Sequence, residues 1–465
     1  MEKAENKQIA MIGLGTMGSA LAEALARNHF QVHVLEPLSR ENVLPPAGTK
    51  LADDFGSVVS NLKPPRKVML MVTAGCAVDE VISQLTPHLE KGDIIIDGGN
   101  SHYADTGRRE AALKEINIGY HGVGISGGEE GARSGASVMA GGTEEGFAAI
   151  REILEAIAAE QNGQVYCEYF GAGGAGHFVK MVHNGIEYGM MQAIGEAYHL
   201  LHEGLGLSHA YCGSIFRGWQ GGVLRSFLIG ITADILHKID GSTGSHLIEL
   251  IDDAAEQTGT GRWMVTEAMA LGVPVPTISE AVAARSLSGG RKTRRALEKL
   301  KPKTSASLDI TVEDIRDSLL ATFWCCFAQG FAVLSAGANK YGWPHREAGI
   351  ARVWQRGCII RSKILHNITK SYIANPELIH LFACSEITNI FVGSLDGCRR
   401  TVSSAIGAGL SVPTMASAVT YADAFRTNGL WTALIQAQRD YFGSHTYRRI
   451  DQDGSFHTNW LNDEG

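Results

Sequence analysis

The sequence predicts an α/β domain built on a parallel sheet, then a large all-helical domain and an extended C-terminal tail. Three observations carry this. From residue 7 to about 175, short apolar runs alternate with helical stretches: IAMIG, ALAEALARN, VHVLE, KVMLMV, CAVDEVISQLTPHL and DIIIDGG. That alternation is expected of βαβ units, and continuously apolar runs are expected of strands covered on both faces. After the glycine cluster FGAGGAGHF the pattern lengthens to helical periodicity with few strand signals up to about residue 430. The final segment, RDYFGSHTYRRIDQDGSFHTNWLNDEG, is polar and aromatic without a period, and such a tail needs a surface to lie on. The expected segments are therefore 1–175, 176–430 and 431–465.

Composition narrows the function. Of 465 residues, 45% are apolar and 19% charged, a balance that favours an extensive core over disorder. Lysine plus arginine is 41 against 49 acidic residues, a net charge of -8, which offers no general attraction to nucleic acid or an anionic membrane. The opening MEKAENKQIAMIG carries charges and no apolar signal core, and eight cysteines show no CxxC pair or metal-ligand rhythm. Both point to a cytoplasmic protein with reduced thiols and no bound metal. The run from Leu319 to Ala338 holds 20 residues without a charge, long enough for a membrane span. It contains Gln329 and Ser335 and stands alone, so a helix buried in the helical domain is the better expectation, with Cys325 and Cys326 in its core.

The first strand runs into GLGTMG, which places Gly13, Gly15, Thr16, Met17 and Gly18 between a strand and the helix SALAEALARN. In a GxGxxG turn the glycines serve a tight turn, backbone approach to a pyrophosphate, and close helix–strand packing, while the helix N-terminus attracts the phosphate charge. The next strand ends in Glu36, 18 residues beyond Gly18, where a carboxylate holds an adenosine ribose diol and repels a 2′-phosphate. A Rossmann-like dinucleotide-binding domain is expected.

A second candidate is the run HFVKMVHNGIEY. Lys180, His183, Asn184, Glu187 and Tyr188 sit at helical offsets that gather them within about 140° of one face, opposite Met181, Val182 and Ile186. Periodicity alone reads equally as a solvated face. The mixture of a base, an acid and neutral hydrogen-bonding groups, directly after a glycine-rich junction between domains, favours a site. Two further clusters follow strand ends: Asn100 in DGGNSHYADT, and Ser126, Gly127 and Gly128 in ISGGEEGA. Ligands of open sheets bind at the carboxyl ends of strands, although turn chemistry alone explains such clusters as well.

Taken together, GLGTMG, DGGNS, SGGEEGARSG, GHFVKMVHNGIEYG, CIIRS, and QAQRDYFGSHTY with FHTNW resemble the decarboxylating 6-phosphogluconate dehydrogenases, within the β-hydroxyacid dehydrogenases, over nearly the whole chain. The resemblance implies oxidative decarboxylation of 6-phosphogluconate to ribulose 5-phosphate in the pentose phosphate pathway, by a homodimer whose tail crosses into the partner. It implies Lys180 as the base at the 3-hydroxyl, which then supports the enolate once protonated, and Glu187 as the acid that protonates carbon 1. Asn100, Ser126, Gly127, Gly128, His183 and Asn184 match residues that hold the sugar acid. Tyr188, Arg262, Arg285 and, from the partner's copy of the tail, residues Arg439 and His445 match groups around the phosphate. Val72, Thr73, Ala74 and Asn100 join the GLGTMG loop and Glu36 on the coenzyme.

The chain also departs from that family. The Asn-Arg-Thr usual in NADP-using members reads Glu36-Pro37-Leu38, and a frequent VKAG reads VTAG, so positive charge is lost near the ribose. NAD is expected over NADP, with Arg40 the one nearby cation able to restore NADP binding. The family's GTGKWT reads GTGRWM, with Arg262 and Met264, and GARYGPSLMPGG reads GARSGASVMAGG. Met264 forfeits a hydroxyl donor, from which an altered phosphate pocket is expected, leaving another aldonate as an alternative substrate. A catalytically silent nucleotide-binding protein is the other alternative; it would require loss of Lys180 or Glu187, and both are present.

Overall fold

The structure is a computed structural model that describes residues 7–37, 44–257, 259–300 and 308–461. Leu38 and Arg40 lie outside the described residues. The chain divides into two compact units, 1–418 and 419–465.

The first unit opens with ten strands: β1 (Gln8–Ile12), β2 (Gln31–Leu35), β3 (Thr49–Leu51), β4 (Lys67–Leu70), β5 (Ile94–Asp97), β6 (Gly119–Ser126), β7 (Ser137–Ala140), β8 (Glu160–Gln161), β9 (Gln164–Val165) and β10 (Cys167–Tyr169). Eight form one sheet in the order β10-β7-β6-β5-β4-β1-β2-β3, while β8 and β9 make a separate hairpin. All neighbours in the large sheet run parallel except β6 and β7. The expected parallel sheet is present, and its central strands are largely apolar because both faces are covered. On β1, Ile9 and Met11 pack with Ala20, Leu21 and Leu25 of the helix Thr16–Arg27 and with Ile150 and Leu154 of Glu144–Ile157. The alternate residues Ala10 and Ile12 pack with Val58, Val59, Val78 and Val81 of the helices Phe55–Ser60 and Cys76–Leu85. The order reverses between β1 and β4, the crevice where open α/β sheets take ligands.

Helices follow from Ala175, beginning with the 25-residue helix Ala175–His199. It starts on the sheet because Gly124 of β6 lets it approach: a Cβ there would lie 2.4 Å from Cβ of Lys180 and 2.9 Å from the Gly176 carbonyl oxygen. The 30-residue helix Val312–Tyr341 contains the uncharged run. Thr311 and Asp314 form a reciprocal capping box at its start, and Gly342, at φ 69°, ends it in a left-handed turn. Phe323, Trp324, Cys325, Cys326, Phe327 and Phe331 on it are at most 1% exposed. Each such aromatic contributes about 1.5–3 kcal/mol by burial, so the run serves as the core helix expected of it. All eight cysteines are unpaired.

The second unit holds the helix Thr432–Gly443 and a bridge in which Tyr447 and Phe456 exchange two backbone hydrogen bonds of 2.8 Å. Trp431, Leu434, Phe442, Ile450 and Leu461 are largely exposed.

Candidate active site

The GLGTMG loop lies at the switch point, after β1. Gly13 has φ +94°, and a Cβ there would stand 2.5 Å from the Met71 carbonyl oxygen after β4; a Cβ on Gly18 would stand 2.0 Å from the Gly13 oxygen. Both positions therefore demand glycine. Gly15, by contrast, has open space where its Cβ would point. It caps the helix Thr16–Arg27, which has no side-chain cap and no acid in its first turn, so the terminal N–H groups stay available to a pyrophosphate. At the end of β2 the Glu36 carboxylate accepts the Leu14 N–H at 2.7 Å. The loop itself orients that carboxylate, and the residues present fit a dinucleotide. Val72, Thr73 and Ala74 follow β4, with Thr73 exposed.

Beside this loop opens a cleft of about 430 Å³, lined by Met17 and Asn100 from the coenzyme side, by Ser126, Gly127 and Gly128 after β6, and by Lys180, Asn184, Glu187 and Tyr188 from the helix Ala175–His199. Arg285 from the helix Pro276–Gly289 completes the wall. The polar face read from periodicity is therefore not a solvated one. Lys180 is 7% exposed, Asn184 7% and His183 0%.

Burial sets the chemistry. Desolvation holds the Lys180 amine below its usual range against the opposing pull of Glu187, and no hydrogen bond to its Nζ exists among the described residues. Burial raises the Glu187 carboxyl, with Lys180 and Arg285 pulling it back. His183 lies behind the wall, where desolvation and then Lys180 hold its imidazole well below the ordinary value, so it is neutral. Its Nε2 faces Ser126 Oγ at 3.1 Å and its Nδ1 faces Asn184 Oδ1 at 3.2 Å. A neutral ring then donates from Nδ1 to Asn184 and accepts the Ser126 hydroxyl at Nε2. Trp354 closes over it edge-on at 5.7 Å. Arg285 stacks on the Tyr188 ring at 3.5 Å and donates from one Nη to Met191 Sδ at 3.4 Å. The site thus pairs a lysine biased toward the neutral amine with a carboxyl biased toward the acid, the arrangement that general acid–base chemistry requires.

The loop after β5 is held from below. Asp97, 1% exposed, accepts Ser101 Oγ at 2.6 Å, Tyr120 OH at 2.7 Å and Gly99 N–H at 3.1 Å, which fixes the turn carrying Asn100. Arg109 ties that turn to the helix Cys76–Leu85, meeting Asp79 at 2.9 Å through two nitrogens.

Met264 is fully buried, and the Cβ that Gly185 lacks would lie 2.7 Å from its Cγ; it packs against the back of the Ala175–His199 helix and does not shape the cleft. An apolar residue there fills a core position. Arg262 is exposed and does not line the cleft among the described residues. Glu256, Gln257, Thr260, Ile125 and Ile359 do line it and were not singled out by motif reading. Thr260 had a signal in the GTG triplet, since Gly259, at φ 92°, starts the helix Thr260–Ala270. Arg439 and His445 belong to the 419–465 unit.

The family model described as the NAD binding domain of 6-phosphogluconate dehydrogenase matches residues 8–171, and that of the 6-phosphogluconate dehydrogenase C-terminal domain matches 176–460. A Bacillus subtilis protein named as NADP(+)-dependent decarboxylating 6-phosphogluconate dehydrogenase is 43% identical, over 98% of this chain and 99% of its own. A second from the same organism, named as NAD(+)-dependent, is also 43% identical, over 97% and 99%. Overall identity thus does not separate the coenzymes. The solved Plasmodium falciparum 6-phosphogluconate dehydrogenase superposes with a TM-score of 0.91 at 36% identity, covering 97% of this chain and 100% of that one. With both halves matched, and with sheet, helical domain and cleft arranged as described, the chain belongs to the 6-phosphogluconate dehydrogenase family.

Proposed function

We propose that the protein oxidises and decarboxylates 6-phosphogluconate to ribulose 5-phosphate and carbon dioxide in the cytoplasm, with NAD preferred over NADP. The observation that carries this reading is the convergence of Lys180, Glu187 and the His183–Ser126 pair on one cleft beside the coenzyme loop. When bound, the nicotinamide supplies the acceptor for the hydride that leaves substrate carbon 3. Lys180, held toward the neutral amine, takes the proton of the 3-hydroxyl. The product of that step is a β-keto acid. Lys180, now an ammonium, stabilises the enolate oxygen as the carbon–carboxylate bond breaks and carbon dioxide departs with its electrons left on the sugar. Glu187, held toward the acid, then delivers a proton to carbon 1. Asn100, Ser126, Gly127, Gly128, Asn184 and His183 hold the carboxylate and hydroxyls, and Tyr188 with Arg285 holds the phosphate end.

The preference for NAD rests on Glu36. Its carboxylate is set by the Leu14 N–H at the end of β2, where it accepts a ribose diol and repels a 2′-phosphate. A homodimer, in which Arg439 and His445 of each tail complete the cleft of the other copy, is supported by the exposed Trp431, Leu434, Phe442 and Ile450 of that tail, an apolar surface that monomers rarely leave in water.

The test is a steady-state assay on 6-phosphogluconate with NAD and NADP in parallel, following reduced coenzyme and carbon dioxide for the protein and for Lys180→Ala. Equal release of both products with NAD favoured, and a loss on the order of 10²-fold or more in the variant, is the expected result. Near-normal coenzyme reduction by Lys180→Ala would remove Lys180 as the base.

A further inference from the structure

Asp440 is the only buried residue of the helix Thr432–Gly443, an inversion of the usual pattern in which a charge faces inward while Trp431, Leu434 and Phe442 face out. Four donors converge on it. Oδ1 accepts the Thr446 N–H at 2.9 Å and meets His457 Nδ1 at 2.9 Å; Oδ2 accepts the Thr458 N–H at 3.1 Å and the Trp460 indole N–H at 2.9 Å. The Asp440 carbonyl also accepts the Ser444 N–H at 2.9 Å. This clasp surrounds an unusual backbone: Ser444 and Thr446, on either side of His445, both lie in the left-handed region, at φ 49° and 58°. Residues with a Cβ adopt that conformation only where the surroundings enforce it, and a β-branched threonine least readily. Gln436 links the same turn to Arg439, donating to the Thr446 carbonyl at 2.6 Å and accepting from Arg439 Nη1 at 3.0 Å.

We propose that Asp440 is a positioning residue for substrate binding: its four-donor clasp imposes the twin left-handed turn that aims His445 and Arg439 outward together as a pair for the substrate phosphate. This rests on the reading that those two side chains complete the cleft of a second copy. A carboxylate is required because all four partners are donors. An asparagine offers one oxygen, so its NH2 faces two of them.

The test compares Asp440→Asn, Trp460→Phe, Arg439→Ala, His445→Ala and the combinations with Asp440→Asn, each checked for its assembly by sedimentation. Expected for Asp440→Asn is a rise in KM for 6-phosphogluconate on the order of tenfold, with kcat and the KM for NAD far less affected. Trp460→Phe, which removes one donor and keeps a ring, moves KM the same way by less, and it serves if the asparagine variant does not fold. Asp440→Asn adds nothing further once both Arg439 and His445 are alanine. An unchanged KM in folded Asp440→Asn and Trp460→Phe, beside a raised KM in Arg439→Ala, overturns the proposal alone; so does a full additional effect in the triple variant. Unchanged KM in both Arg439→Ala and His445→Ala overturns the reading beneath it, and the proposal with it.

Discussion

A lysine serves as a base near neutral pH only when something disfavours its ammonium, and in the role proposed for Lys180 that agent is burial, opposed by Glu187. The two groups are each other's counterweight: the carboxyl favours the charged amine, and the amine limits how far burial can raise the carboxyl. At the coenzyme end the proposed preference for NAD is a question of charge at one residue. The Glu36 carboxylate accepts the Leu14 N–H, which fixes where its charge stands. Glu36→Arg is expected to shift the ratio of kcat/KM for NADP over NAD upward by on the order of tenfold or more, since a repulsive charge becomes attractive. Parallel steady-state assays with the two coenzymes measure it, and an unchanged ratio would mean that residue 36 does not face the ribose.

At the scale of elements, the helix Ala175–His199 was legible as a face but not as an environment. The offsets of Lys180, His183, Asn184 and Glu187 are written in the sequence, whereas burial on both sides depends on β6 beneath and on Trp354 above, which no local pattern encodes. The same limit hid the brace between the helices Cys76–Leu85 and Tyr103–Lys114. There the Arg109 guanidinium, then Arg108, lowers the Asp79 carboxyl to about 2 against a desolvation penalty. A carboxyl whose folded value lies below its unfolded one contributes stability above the unfolded value, and that contribution is lost as pH falls toward the folded one. Asp79→Asn is therefore expected to lower Tm at pH 7. The gap to the parent protein narrows between about pH 4 and pH 2, read by thermal melts across that range. A gap constant with pH would assign the loss to packing instead of charge. Because Arg109 also reaches the Gly75 carbonyl at 2.9 Å and Ser101 Oγ at 3.4 Å, the brace supports the Asn100 turn as well.

Across the whole molecule, the succession of sheet and helices was readable because strand and helix periods differ and glycine marks the junction. Long-range pairing was not. Met264 sits one turn from Thr260 in sequence but points into the core, while Thr260 lines the cleft, a distinction made only by which helix packs behind. The tail poses the assembly question directly. If Arg439 acts across a two-fold dimer, mixed dimers of Lys180→Ala and Arg439→Ala contain one site with both residues intact, and they are expected to recover about half the parent activity. If it acts within its own chain, both sites stay defective and mixing restores nothing. Purifying the mixed species with two different affinity tags separates these outcomes.

Gly124, which lets the Ala175–His199 helix lie so close on β6, also constrains how this protein can diversify. The helix that carries Lys180 and Glu187 is at the same time a load-sharing member of the fold, so substitutions along it are expected to affect folding and turnover together. New substrate preferences have to be written in residues that touch the cleft without holding up the sheet, such as Glu256 and Gln257. Anyone redesigning the enzyme for another sugar acid would mutagenise there first and leave the helix as inherited.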